Sequence, residues 1–193
     1  MNSKRSCAHK ATATVGLQYT GEASGTLPKI VGMSDASWAT HEDSMTSHAG
    51  YFFNMCGAAV SWRSYKIKRV CHSSTEAEYV TCSDASRQAE YHVNVLGELG
   101  LFGEGDAVQI YTDSKGAEAL VGNPVQRQRT KHIGTPYHYV RQLVDEGVVN
   151  FQRVASADNA ADVLTMGNYR PFHSFACQKF GLTVDESPVY LHR

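Results

Sequence analysis

The sequence predicts an α/β fold in which one mixed β-sheet is flanked by helices. Three strand-like segments follow one another with only turns or polar loops between them, which is typical of antiparallel pairing. Further along the chain, apolar strand-like segments alternate with amphipathic helical ones, and this alternation favours parallel neighbours. A chain of 193 residues with 42% hydrophobic content can bury one such core, with little left for a second.

The first three strands are predicted from short apolar and aromatic segments. Residues 30–36, 51–53 and 58–62 have this composition, and Cys56-Gly57 supplies a turn between the second and the third. A further extended piece is expected over residues 66–71, immediately before the first helix. These segments predict the antiparallel half of the sheet.

The segment before the first strand has a different composition. Residues 1–28 are polar, rich in Gly, Thr and Ser, and without hydrophobic periodicity, apart from one short extended piece around residues 15–19. We interpret them as a leader or connection segment. The folded domain is expected over residues 29–183, followed by a C-terminal tail over residues 184–193.

A long amphipathic helix is the strongest secondary-structure prediction. Ser73 followed three positions later by Glu76 matches a capping box, and Gly100 can end the helix. Apolar residues then recur at steps of three and four, which predicts one buried stripe. The stripe consists of Cys82, Ala85, Ala89, Val93, Leu96 and Leu99.

The second half of the chain alternates strands with helices. Pro136 suits the first position of a helix, Gly147 its end, and Asp158 the cap of a last helix that carries Asp162. The predicted order is a strand over 108–112, a short helix over 114–121, the Pro136 helix with a stripe of Tyr137, Val140, Leu143 and Val144, a fifth strand over 148–154, and the Asp158 helix.

Four carboxylates lie at the end of a predicted strand (Asp35 and Asp113) or near the start of a predicted helix (Glu78 and Asp162). Sheets with parallel strands place ligand sites at strand ends, and hard divalent cations prefer oxygen ligands. Each aspartate alone could simply begin a turn or complement a helix dipole. Together they predict a site that binds two metal ions about 3.5–4 Å apart and hydrolyses a phosphodiester.

Helix geometry distinguishes the two glutamates of the first helix. Glu78 lies four and seven positions before Cys82 and Ala85, so it continues the buried stripe, whereas Glu76 already serves the capping box. Two residues on a helix are about 200° apart, so both side chains cannot face the same way. We therefore expect Glu78 to bind metal and Glu76 to have a structural role.

Composition excludes several other classes. The five cysteines are scattered and odd in number, which argues against a disulfide framework or a zinc site and favours a reducing compartment. We see no stretch of about 20 apolar residues and no secretory signal pattern, so a membrane protein is not predicted. The net charge of −1 gives no overall attraction for nucleic acid, so any such binding must come from local clusters.

Basic residues form two such clusters. The first follows Trp62 and the second lies in the loop before the Pro136 helix. Either could be solvated surface, or could contact phosphates and sugars alongside neighbouring aromatic residues. The clusters are Arg63, Lys66, Lys68 and Arg69, and Arg127, Arg129, Lys131 and His132.

At these positions the sequence resembles the RNase H domain of copia-type long-terminal-repeat retrotransposon polyproteins. The matching blocks run in family order between about residue 15 and residue 183. They are Ser34-Asp35-Ala36-Ser37-Trp38-Ala39, Gly50-Tyr51-Phe52, Ser61-Trp62, Ser73-Ser74-Thr75-Glu76-Ala77-Glu78-Tyr79, Tyr111-Thr112-Asp113, Arg129-Thr130-Lys131-His132-Ile133 and Ala161-Asp162-Val163-Leu164-Thr165.

The resemblance implies an RNase H-like fold, with a five-stranded mixed sheet whose first three strands are antiparallel. It also implies hydrolysis of the RNA strand of RNA–DNA hybrids with two Mg²⁺ or Mn²⁺ ions and no small-molecule cofactor, inside the cell and within virus-like particles, alongside a reverse transcriptase polymerase domain. The family's metal-binding acids fall on Asp35, Glu78, Asp113 and Asp162, and its substrate contacts on Ser74, Arg129, Lys131 and His132.

The chain departs from the family pattern at several places. Ser44, Met45 and Met166 stand where the family usually has basic residues, and Gly134 stands for an Asp. Ser114 and Gly116 replace an Asn and a Ser, and the segment 154–159 lacks a histidine found near the last acid in some RNase H enzymes. Two alternatives stay open. The lost basic residues favour a non-catalytic nucleic-acid-binding or assembly module, which the four intact acids oppose. The second is a DNA-directed nuclease or integrase of the same fold, which would normally show three acids and a catalytic Glu late in the chain, and we do not find that Glu.

Overall fold

The computed structural model describes residues 15–20, 29–41, 45–103, 105–116, 134–166 and 170–184. The strands are β1 (Val15–Leu17), β2 (Ile30–His41), β3 (Thr46–Met55), β4 (Ala58–Lys66), β5 (Val108–Thr112), β6 (Val149–Arg153) and β7 (Leu182–Val184). The α-helices are α1 (Ser74–Glu98), α2 (Thr135–Asp145) and α3 (Arg170–Lys179), and two 3-10 helices span Ser156–Asp158 and Ala160–Leu164.

Five strands form one mixed sheet in the order β4-β3-β2-β5-β6. β2, β3 and β4 pair antiparallel, whereas β5 pairs parallel with both β2 and β6. The predicted α/β fold, with a five-stranded mixed sheet whose first three strands are antiparallel, is confirmed. The predicted turn between β3 and β4 is also present, since Cys56 and Gly57 both have positive φ, at 54° and 84°, as a tight two-residue hairpin requires.

The antiparallel strands are longer than their apolar segments. β2 continues to His41, β3 begins at Thr46 and β4 continues to Lys66, so most of the extended piece predicted over 66–71 is loop. Backbone pairing explains the difference, because β2 and β3 are in register from Ile30 opposite Met55 to Ser37 opposite His48. Hydrogen bonds between strands hold polar residues in extended conformation where hydrophobicity alone gives no signal.

The two faces of the sheet bury different clusters. α1 and α2 cover one face, where Phe53, Ile110 and Val140 are fully buried. On the other face Phe52 stacks on Phe180 of the α3–β7 turn, with ring centroids 4.0 Å apart. Ala160 and Ala161 belong to this second cluster, which ties the second 3-10 helix to the sheet.

The first helix begins and ends where the sequence predicts. The Ser73 hydroxyl accepts a hydrogen bond from the Glu76 N–H at 3.2 Å, and Gly100 has a positive φ of 68° just after the helix. Along the predicted stripe Cys82, Ala85, Ala89 and Leu96 are buried and Val93 is half-buried. The prediction is wrong for Leu99, which is 65% exposed because it is the C-cap and lies beyond the last turn that packs on the sheet.

The region around Asp162 also differs from its prediction. Asp158 is the last residue of a 3-10 helix. Asn159 rather than Asp158 caps the next 3-10 helix, because its side-chain oxygen accepts a hydrogen bond from the Ala161 N–H. The Asn159 amide also donates to the Ser34 carbonyl oxygen at 3.1 Å. An aspartate cannot donate that second bond, which explains why the asparagine takes the capping position.

The chain does not end with this helical turn, because α3 and β7 follow. β7 pairs antiparallel with β1, from Val15 opposite Val184 to Leu17 opposite Leu182. The predicted limits at residues 29 and 183 stay predictions, although three residues of the leader pair with this C-terminal strand.

Most of the helix predicted over 114–121 lies outside the described residues. Within the described part of the chain, no helix is long and apolar enough to cross a membrane.

Two glycine substitutions test how closely the second 3-10 helix packs on the sheet. A Cβ on Gly50 would lie 2.4 Å from Leu164 Cβ, whereas a Cβ on Gly97 of α1 meets nothing within 4 Å. We expect Gly50→Ala to lower the free energy of unfolding by about 1–3 kcal/mol through overpacking. Gly97→Ala should raise it by up to about 1 kcal/mol through helix propensity. Urea unfolding of both variants checks this, and equal effects would contradict the packing described.

Candidate active site

The parallel pairing of β2 and β5 brings two aspartates together. The last paired residues are Met33 and Tyr111, and Asp35 and Asp113 each lie two positions further along their strands. Neighbouring strands are about 4.8 Å apart, so residues at equivalent positions are adjacent. Asp113 directly follows the end of β5, as predicted. The expectation that Asp35 ends its strand is wrong, because β2 continues with β3 as its partner and only its pairing with β5 ends there.

Asp162 reaches the same place from the other side of the sheet. It lies in the 3-10 helix Ala160–Leu164, which packs on β3 where Gly50 is opposite Asp35. The absence of a side chain at Gly50 lets Leu164 approach the sheet. As a result Asp35, Asp113 and Asp162 each offer an oxygen within 4.8 Å of the others. We call these three residues the carboxylate cluster.

Glu78 lies beside the carboxylate cluster rather than within that distance. It is in the second turn of α1, and its carboxylate accepts a 2.5 Å hydrogen bond from the Ser114 hydroxyl. Burial raises the pKa of Glu78, the Ser114 bond opposes this, and the charges of Asp113 and Asp35 raise it further. The glutamate is therefore close enough for the charges of both aspartates to affect its pKa.

Glu76 has a different environment, and it is only 3% exposed. Its carboxylate accepts a 2.7 Å hydrogen bond from the His72 N–H and forms an ion pair with Arg69 at 3.2 Å. The predicted capping contact from Ser73 is present, but the return bond goes to His72 rather than to Ser73. Glu76 thus holds the start of α1, and among the described residues it does not join the carboxylate cluster.

Hydroxyl and amide groups that sequence reasoning missed orient the carboxylates. The Thr165 hydroxyl donates to Asp35, and the Ser156 hydroxyl donates to Asp113 at 2.6 Å. The Asn159 amide, besides its bond to β2, lies 3.5 Å from Asp113. All three residues lie within six positions of Asp162. Their composition is ordinary for a polar turn, so only the fold distinguishes them.

Two members of the carboxylate cluster, Asp35 and Asp162, have raised pKa values. Burial, followed by the charges of Asp35 and Asp113, raises the pKa of Asp162 to about 7. Burial also raises the pKa of Asp35, partly opposed by the Thr165 hydrogen bond, and Asp113 raises it further. Without a cation, Asp35 and Asp162 therefore retain protons that isolated carboxylates lose near pH 4.

The donor set fits hard divalent cations. Carboxylate oxygens are the ligands that Mg²⁺ and Mn²⁺ prefer, and three carboxyl groups converge with a fourth beside them. Cys82 is a soft ligand that interacts electrostatically with these carboxylates, but burial first and the carboxylates further raise the pKa of its thiol to about 12, so it is a poor ligand. The geometry supports an acidic cation site, and the metal roles predicted for the four acids stay predictions.

The predicted substrate contacts are only partly visible. Ser74 is the exposed first residue of α1. Arg129, Lys131 and His132 lie outside the described residues.

Comparisons with known proteins agree with this architecture. No protein-family model matches the chain. It is 39% identical over 151 residues to the retrovirus-related Pol polyprotein from transposon RE1 of Arabidopsis thaliana, which covers 78% of the chain. It is 36% identical over 141 residues to the corresponding polyprotein from transposon TNT 1-94 of Nicotiana tabacum, which covers 73% of the chain. In both cases it matches about 10% of the polyprotein's length.

A solved structure shows the same fold. LC11-RNase H1, isolated from compost by a metagenomic approach, superposes with a TM-score of 0.54 at 19% identity, covering 71% of this chain and 92% of that one. The chain therefore has the RNase H fold and is homologous to a segment of copia-type transposon Pol polyproteins.

The raised pKa of Asp162 predicts a pH dependence of stability in metal-free buffer. A carboxyl group whose pKa rises from 3.8 to about 7 on folding binds more protons in the folded state, so its contribution favours folding at low pH. That contribution is lost as pH rises from about 4 to 7. We expect Asp162→Asn to be increasingly stabilised relative to wild type across this range, with no further change above it.

Denaturant unfolding between pH 4 and 8 in the presence of a chelator measures this difference. Asp145→Asn is the matched control, because Asp145 is an exposed carboxylate on α2 whose partner is Arg141 at 3.8 Å. A constant difference between Asp162→Asn and wild type across the whole range would contradict the prediction.

Proposed function

We propose that this chain is an endoribonuclease that hydrolyses the RNA strand of RNA–DNA hybrids during retrotransposon reverse transcription. The convergence of Asp35, Asp113 and Asp162, with Glu78 beside them, is the observation on which the proposal rests. The RNase H fold and the homology to transposon Pol polyproteins support it. The proposed setting is inside the cell, within virus-like particles.

Two divalent cations, Mg²⁺ or Mn²⁺, are the proposed cofactors, and Asp35, Glu78, Asp113 and Asp162 would hold them. When bound, such ions activate water and stabilise the charge that develops on the leaving oxygen. The protein's own contribution is to keep the carboxylates oriented. Thr165 donates to one oxygen of Asp35 and Ser156 to one oxygen of Asp113, which fixes the two side chains while carboxylate lone pairs remain for a ligand.

Glu78 depends on Ser114 in the same way. The Ser114 hydroxyl donates to Glu78 and also accepts a hydrogen bond from the Gly116 N–H at 3.1 Å. Ser114 and Gly116 are positions where the chain departs from the family pattern, so here a serine holds this glutamate. The proposed partners are the hybrid, contacted by Ser74, Arg129, Lys131 and His132, and a reverse transcriptase polymerase domain.

A second candidate function is a catalytically weakened module that binds nucleic acid or assists assembly. Met45 and Met166, which stand where the family usually has basic residues, are 54% and 53% exposed. Exposed methionines cannot pair with phosphates, so the substrate is held with fewer charges than the family pattern implies. Retention of all four acids argues for catalysis.

Cleavage of a labelled RNA–DNA hybrid with and without Mg²⁺ or Mn²⁺ tests the proposal. Glu78→Gln should reduce the rate at least about 100-fold, because it removes a proposed ligand while a neutral amide keeps the size of the side chain. Glu76→Gln is the matched control, because Glu76 lies on a different face of α1 from Glu78. It should keep most of its activity, because glutamine can still accept the His72 hydrogen bond.

Substrate identity is tested on the same hybrid with 2′-deoxy nucleotides at the cut site. A ribonuclease that recognises the 2′-hydroxyl should leave this substrate intact. Metal-dependent cleavage of the deoxy substrate would point to the DNA-directed nuclease instead. Failure of the wild-type chain to cut any hybrid, with binding retained, would favour the weakened module.

A further inference from the structure

A second charged surface lies beside α1, away from the carboxylate cluster. Edge strand β4, the loop after it and α1 enclose a groove of about 410 Å³. Four cationic side chains line it against one carboxylate, so it is positively charged. We define the basic groove by Arg63, Lys66, Lys68, Arg69, Tyr65 and Asp84.

Part of the basic groove is held in a fixed shape. The Arg63 guanidinium lies over the Tyr65 ring at 4.2 Å from its centroid, and the Tyr65 hydroxyl donates to Asp84 of α1. Arg69 is oriented by its ion pair with Glu76. Arg63, Lys68 and Arg69 remain exposed to solvent. The groove thus presents fixed planar guanidinium groups together with a flexible lysine, which suits phosphate oxygens.

The register of the sheet relates the groove to the carboxylate cluster. Asp35 is opposite Gly50, and Gly50 is opposite Ser64, so Ser64 lies two strand spacings from Asp35, or about 10 Å. Lys66 lies two residues beyond Ser64, at the same end of the sheet. Base pairs of a duplex rise about 3.4 Å each, so this separation between the groove and the carboxylate cluster corresponds to a few nucleotides.

An exposed indole connects the strand that carries Asp35 to the loop that lines the basic groove. Trp38 is three residues after Asp35 and 47% exposed, and its Nε1–H donates to the Cys71 carbonyl oxygen at 3.0 Å. That bond attaches β2 to the loop that carries Lys68 and Arg69. Aromatic side chains beside basic groups commonly stack on bases or sugars of nucleic acids.

Helix geometry restricts what can occupy both sites. Two residues of α1, Val80 and Asp84, line the groove. Each residue of a helix advances about 100° around its axis, so these side chains point about 200° and 240° around α1 from Glu78. The groove therefore faces away from the carboxylate cluster. A ligand that touches both must cross the first turn of α1, where Ser74 is exposed. A long polyanion can do this, and a single phosphate cannot.

We propose that the basic groove binds the phosphate backbone of the nucleic-acid duplex a few nucleotides from the point of cleavage, with Trp38 contacting the strand between the two sites. The identity of the polymer rests on the proposed function. Charge and the shared end of the sheet favour this occupant over an acidic protein segment. The basic groove would then supply contacts to substrate phosphates that Met45 and Met166 cannot make.

Binding of a fluorescent hybrid of about 20 base pairs to the full chain, measured by anisotropy in a chelator, tests the groove without cleavage. The double variant Arg63→Gln/Lys68→Ala should weaken binding at least about tenfold and reduce the slope of log affinity against log salt by about two. Lys179→Ala is the matched control, because Lys179 is an exposed cation near the opposite end of β3. It should leave both quantities unchanged.

The outcomes separate the groove from the proposed function. If the groove variants lose affinity for the hybrid while the wild-type chain cuts no hybrid, the groove proposal is supported and the nuclease proposal fails. If the hybrid is cut but the double variant and the single variant Lys68→Ala both match the Lys179 control, the groove proposal is overturned. Loss of affinity for a polyglutamate peptide, with hybrid affinity unchanged, would also overturn it and indicate an acidic protein partner.

Discussion

Mutual repulsion among Asp35, Asp113 and Asp162 is the constraint on which the rest of the site depends. Their oxygens lie within 4.8 Å of one another in a partly buried site, and burial together with the charges of Asp35 and Asp113 raises the pKa of Asp162 to about 7. The fold brings them together because β2 and β5 run parallel and a 3-10 helix closes from the other face. A loss of folding stability at such a cluster of like charges is typical of a site that serves function rather than stability.

Small residues and hydrogen bonds make that convergence possible. Gly50 leaves the space that Leu164 occupies, which brings the 3-10 helix against the sheet. Asn159 caps that helix and donates to the Ser34 carbonyl oxygen, one residue before Asp35. Thr165 and Ser156 then orient two of the carboxylates. The acids and the polar groups that orient them come from distant parts of the chain and work as one unit.

Sequence reasoning recovered the elements whose signals are local. The Ser73 cap, the α1 stripe and the Cys56-Gly57 turn follow from propensity and periodicity, and the phase of α1 separates Glu78 from Glu76. It failed where tertiary pairing decides. β2 continues past Asp35 because β3 supplies its hydrogen bonds, Asn159 replaces Asp158 as the cap because only an amide can donate to β2, and β1 finds β7 some 165 residues away. No local pattern encodes such contacts.

The melting temperature of the full chain in increasing concentrations of Mn²⁺ shows whether these carboxylates bind a cation. Ions that bind only the folded state should raise it progressively, and the rise should be lost in Asp113→Asn but kept in the control Asp145→Asn. The same rise in all three proteins, or none in wild type at millimolar Mn²⁺, would contradict the assignment of these carboxylates to a cation site.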